Sequence, residues 1–165
     1  MILGMSMPAF TLLHVIITLV AIGSGLIVVG GMFASHRLPA TTALFLSTTV
    51  LTSVTGFLFP IHGFTPALGV GIFSCVILAI ALVAYYFKRL TGAWRWIYVI
   101  TAIAALYFNV FVLVAQSFAK VPALNALAPT QSEPPFAIAQ VAVMAIFVLI
   151  GITAAIKFRP VSMRR

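Results

Sequence analysis

The chain has 165 residues, of which 64% are hydrophobic and only 6% charged. A soluble domain carries about 25% charged residues, so this chain has too little polar surface to cover a core in water, and no length is left over for a separate soluble domain. The net charge of +8 sits between apolar runs and not along one basic face, which fits topology signals and contacts to anionic lipid headgroups and argues against nucleic acid as a partner.

A bilayer core about 30 Å thick takes about 20 apolar residues in helical form. Five runs qualify in chain order: residues 10–33, 41–59, 67–87, 96–118 and 136–158. The first run has no basic residue before Phe10 and is longer than the apolar part of a signal peptide, so it reads as a retained helix. Leu38-Pro39 ends it. The second is diluted by Thr41, Thr42, Ser47, Thr48, Thr49, Thr52, Ser53 and Thr55, whose hydroxyls can bond back to carbonyls one turn earlier. Pro60 and Pro66 bracket a short uncharged turn before the third, and the stretch 88–95 separates the third from the fourth. The proline-rich segment 119–135 is the one long connection and holds Glu133, the only acidic residue. Ser132 is expected to cap the last helix, with Glu133, Pro134 and Pro135 in its first turn, where a carboxylate suits the helix dipole.

The expected architecture is all-α: a single transmembrane domain over residues 1–165, a bundle of five transmembrane helices with 119–135 as an outer loop. Direction follows from the nine basic residues. Arg37, Lys88, Arg89, Arg95, Lys157, Arg159, Arg164 and Arg165 fall on one side, and Lys120 alone on the other. That asymmetry puts the N-terminus outside and the C-terminus in the cytoplasm. Tyr85, Tyr86, Trp94, Trp96 and Tyr98 gather around the third-to-fourth turn, as interfacial aromatics do.

No Asp, Glu, Lys or Arg lies within a span core, which argues against proton-coupled pumps with charged relays. Cys75 stands alone, so an intrachain disulfide and a multi-cysteine metal site are excluded. No HExxH, GxSxG, P-loop or dinucleotide fingerprint occurs. Given this topology, His14, His62, Gln116 and Gln140 lie at similar depth toward the outer face, and Asn109 is two turns deeper than Gln116 on the same helical face. Thr11, His14, Thr18 and Gly25 share a face of the first helix. Thr48, Thr52 and Thr55 share one of the second, and Ala67, Gly71, Cys75 and Ala79 form a small-residue ridge on the third. Such stripes serve helix packing as readily as ligand binding.

Two runs, TTALFLSTTVLTSVTGFLFP (residues 41–60) and KVPALNALAPTQSEPPFAIAQ (residues 120–140), resemble those of a group of small bacterial inner-membrane proteins. The resemblance spans most of the chain and implies a multi-pass protein of the bacterial inner membrane. It carries no activity, and therefore no site residues.

Three functions fit the residues. The first is a non-catalytic subunit, assembly factor or scaffold in contact with lipid and with a membrane-protein partner or further copies of itself. The second is a redox module binding b-type haem or a quinone at the cluster of His14, His62, Gln116, Gln140 and Asn109, with His14 and His62 as the metal ligands in the haem case. The third is a carrier or pore for a small neutral solute, built on the threonine stripe and Asn109.

Overall fold

The computed structural model describes residues 2–60, 63 and 66–160. The turn expected at 61–65, with His62 in it, lies outside the described residues apart from Gly63; so do Arg164, Arg165 and the side chain of Ala67. The described residues are all-helical without a strand. The helices are α1 (Met7–Phe33), α2 (Pro39–Phe57), α3 (Pro66–Leu82, closed by a π turn over Val83–Phe87), α4 (Trp94–Lys120), the short α5 (Pro122–Leu127) and α6 (Pro134–Lys157). Five of them are long and apolar enough to cross a membrane.

Prolines open α2, α3, α5 and α6, because a helix's first amide needs no intrahelical partner and proline presets the required φ. Pro134 is thus in the first turn of α6 as expected, and Pro39 and Pro66, expected as breaks, are at those breaks the first residues of the helices that follow. Ser132 does not cap α6. Glu133 holds that position, and with Pro134 and Pro135 offering no N–H, its carboxylate turns back to the preceding loop. It accepts from the Thr130 amide and hydroxyl, at 3.2 and 2.9 Å, and from the Ser132 amide at 3.1 Å. Desolvation is the largest single influence and pushes the carboxyl up, but these bonds and one from its own backbone amide together hold it below the usual carboxylate range. The connection expected as a plain loop folds over the end of α4: it contains α5, Asn125 donates to the Phe118 carbonyl, and Gln131 donates to that of Ala115 at 2.8 Å.

The polar second run is a full helix for the expected reason. Thr48, Thr49, Ser53 and Thr55 each donate to a backbone carbonyl one turn earlier. Its hydropathy of 1.3 against 2.3 or more for the other spans therefore reflects hydroxyls satisfied within the helix.

α4 is the central helix and packs against α1, α2, α3 and α6. At the end that carries most of the basic residues the core is closed by Met32, Leu78, Ala84, Tyr98, Ala154 and Phe158, all buried. With a single acid in the chain, the arginines there serve carbonyls: Arg37 donates to the Arg89 carbonyl at 3.0 Å and Arg95 to that of Phe158, while the Arg159 amide donates to Ser35 Oγ at 2.8 Å. These contacts tie the α1–α2 turn, the α3–α4 turn and the end of α6 together, with cations at helix C-termini where the dipole favours them. The opposite end is built otherwise.

Candidate functional site

At the Lys120 end the helices of the first four spans separate around an open cavity of about 400 Å³. That is within the range of about 300–1,000 Å³ usual for small-molecule sites. α1 contributes Thr11, His14, Val15 and Thr18, and α2 contributes Thr52, Ser53, Gly56 and Phe57, followed by Phe59 and Pro60. α3 adds Leu68, Val70, Gly71 and Ser74, and α4 adds Phe108, Asn109, Val112, Gln116 and Lys120. The room comes partly from glycine. A Cβ on Gly71 would sit 3.1 Å from the Phe57 ring, and one on Gly56 would be 3.7 Å from His14 Cε1.

His14 is held on two sides. Its Nδ1 lies 2.7 Å from Thr55 Oγ1, and its ring stands edge-on to Phe59 at 5.3 Å between centroids. Phe59 in turn packs on the fully buried Phe10 at 5.1 Å. The Thr55 hydroxyl has one proton, and it donates to the Leu51 carbonyl at 2.7 Å. With that proton on the Leu51 carbonyl, Thr55 Oγ1 accepts from His14, an arrangement that puts the proton of a neutral ring on Nδ1 and leaves the lone pair on Nε2.

The neighbouring hydroxyls follow the same rule. Thr18 donates to the His14 carbonyl at 2.8 Å, with Thr52 Oγ1 at 3.4 Å, and Ser53 donates to the Thr49 carbonyl at 3.1 Å, with Ser74 Oγ at 3.4 Å. The α1–α2 wall thus offers mostly acceptors. On the α4 wall Asn109 is buried and its Nδ2 donates to Thr49 Oγ1 at 3.3 Å. Gln116 and Lys120 line the mouth above it with amide and ammonium protons.

Of the residues singled out in sequence, His14, Asn109 and Gln116 therefore share one cavity. Gln140 does not line it. α6 packs on another side of α4, where Gln140 is buried and donates from Nε2 to the Phe111 carbonyl at 3.1 Å; its Oε1 has no partner. His62 is outside the described residues. Among the described residues no group of three or more His, Cys, Asp or Glu comes together as a metal cluster. Gly25, from the same stripe as His14, faces Leu106 and Phe45 in the closed half.

Thr55, read in sequence as part of a threonine stripe, here holds His14, and Ser74, which the sequence did not single out, lines the cavity beside Ser53. A histidine on one helix with a threonine-rich helix next in the chain was the available signal, but the pairing of position 14 with 55 depends on the rotation of both helices. No family model, curated protein or solved structure matches this chain. Five apolar helices make it a multi-pass membrane protein in contact with lipid.

Proposed function

We propose that this chain is a non-enzymatic binding module that holds a small amphipathic molecule inside the membrane. One observation carries the reading: the cavity gathers His14, Thr18, Thr52, Asn109, Gln116 and Lys120 in front of an apolar wall of Phe57, Phe59 and Phe108. Polar groups within a bilayer are costly, and His14, Asn109 and Gln116 come together around a space of ligand size. The site would hold a ring or chain carrying hydrogen-bonding groups at one end. Quinones and their reduced forms are such molecules, and b-type haem would use His14 with His62 as its second ligand.

The basic-residue asymmetry supports an N-terminus outside and a C-terminus in the cytoplasm, which turns the cavity mouth and Lys120 outward. The resemblance of residues 41–60 and 120–140 supports the bacterial inner membrane as the setting.

The test is a chemical one. Protein purified in mild detergent is extracted with organic solvent and the extract weighed by mass spectrometry, alongside a visible spectrum. The wild type is expected to release a low-mass compound in near-stoichiometric amount. Gly56→Phe and Val112→Phe, which fill the cavity, are expected to release little or none. Equal release from all three proteins would refute the site, and a Soret band would assign it to haem.

A second reading rests on a different face. Only 11% of the apolar window of α6 is buried, against 39% for α4, and a groove of about 610 Å³ runs between them, lined by apolar groups including Trp96, Tyr107, Phe147 and Gly151. This face suits a partner helix or a second copy, so the module would work as part of an assembly. Ile152→Cys in a Cys75→Ser background reports on it: disulfide-linked dimers in native membranes support self-association, and a wholly monomeric chain refutes it.

A further inference from the structure

The chemistry of the cavity walls narrows the ligand beyond "amphipathic". Resting on the binding-module reading above, we infer that the site takes the hydroxylated form of a ring ligand, a hydroquinone, in preference to the corresponding quinone.

The inference follows from where the protons are. His14 Nδ1 is 2.7 Å from Thr55 Oγ1, whose own proton goes to the Leu51 carbonyl at 2.7 Å. His14 lines the cavity with its Nδ1 so engaged, and its Nε2 is an acceptor. Thr18 Oγ1 likewise directs its proton to the His14 carbonyl. A ligand oxygen resting on His14 Nε2 must bring its own proton. Across the cavity, the Lys120 ammonium only donates and calls for an oxygen that accepts, and the Gln116 amide beside it can serve either role. A hydroquinone answers both walls, since one hydroxyl donates toward His14 while the other accepts from α4. A quinone has only acceptors, so one of its carbonyls would meet the lone pair of Nε2, with neither group satisfied. The wall of Phe57, Phe59 and Phe108 accommodates either ring alike, so shape does not distinguish the two forms and the hydrogen-bond pattern does.

The test is equilibrium binding to the full-length purified protein, under anaerobic conditions, of one probe in two redox states: a decyl-substituted dimethoxy-methyl hydroquinone and its benzoquinone. The wild type is expected to bind the hydroquinone about tenfold more tightly, the usual effect of one mismatched buried hydrogen bond. Thr55→Val removes the acceptor that fixes the proton on Nδ1, so the preference should fall toward unity while binding persists. Thr55→Ser keeps that acceptor and should keep the preference, which guards against a folding defect in the valine protein. Equal or tighter binding of the quinone by the wild type would overturn the inference, as would a preference unchanged in Thr55→Val. If neither form binds while the extraction experiment still finds a compound lost on cavity filling, the hydroquinone class is wrong and the binding site stands. If both experiments find nothing, the binding-module reading fails as well.

Discussion

The two halves of the bundle use the same residue types to opposite ends. In the basic half, small residues bring helices into contact with no space to spare: a Cβ on Gly25 would lie 2.7 Å from Leu106 Cδ1 and 2.9 Å from the Phe45 ring, and one on Gly31 would lie 2.7 Å from Leu38 Cδ1. In the Lys120 half, Gly56 borders an opening instead, where a Cβ would meet only His14 Cε1 at 3.7 Å. Ser24, in the closed half, only bonds back to its own helix, whereas Thr55 also fixes the orientation of a histidine on another helix. Since lipid tails are as apolar as leucine, helix association in a membrane relies on close contact and interhelical hydrogen bonds. The closed half meets that need through contact, which leaves the other half able to separate around a cavity.

The sharpest way to break this comparison is to add one carbon to each half. Gly25→Ala should destabilise the protein by about 1–3 kcal/mol, the usual result of overpacking a closed core, whereas Gly56→Ala should stay within about 0.5 kcal/mol. Thermal unfolding in detergent measures both, and similar losses at the two sites would show that the halves are packed alike. A smaller effect is expected at Asn109. Asn109→Leu removes the bond to Thr49 and should cost about 0.6 and at most about 1.7 kcal/mol, the range for interhelical hydrogen bonds in membranes. The smallest concerns the loop over the cavity end. Because the Glu133 carboxyl titrates below its ordinary value, its bonds to Thr130 and Ser132 are fully present above the usual carboxylate range. They should be lost only as pH falls through the lowered value. Amide exchange at Thr130 and Ser132 should therefore stay slow as pH falls through the ordinary glutamate range, and in Glu133→Ala, which has no side-chain acceptor, it should be fast at every pH.

Much of the fold was legible because membrane spans are written in hydropathy, and that signal survives even the threonines of α2. Two helix starts were displaced for a local reason: proline reads as a breaker along the chain but is favoured at a helix's first position, as at Pro39 and Pro66. α5 was hidden inside the same proline-rich segment. The site was half legible. Asn109 and Gln116 share a face by helical arithmetic alone, and His14 was the one histidine in a span interior. What a single chain pattern cannot carry is rotation between helices. Gln140 matched the others in depth yet sits on the Phe111 side of α4, and Thr55 became important only once it stood 2.7 Å from His14.

The most direct measurement is nitrogen NMR of the three histidines in isotope-labelled protein, with His14→Gln to assign the relevant ring. The account predicts a protonated Nδ1 and an unprotonated Nε2 for His14, with the Nε2 signal moving when the decyl hydroquinone is added and staying put with the quinone. A proton on Nε2, or a ring averaging between both forms like a solvated histidine, would contradict it.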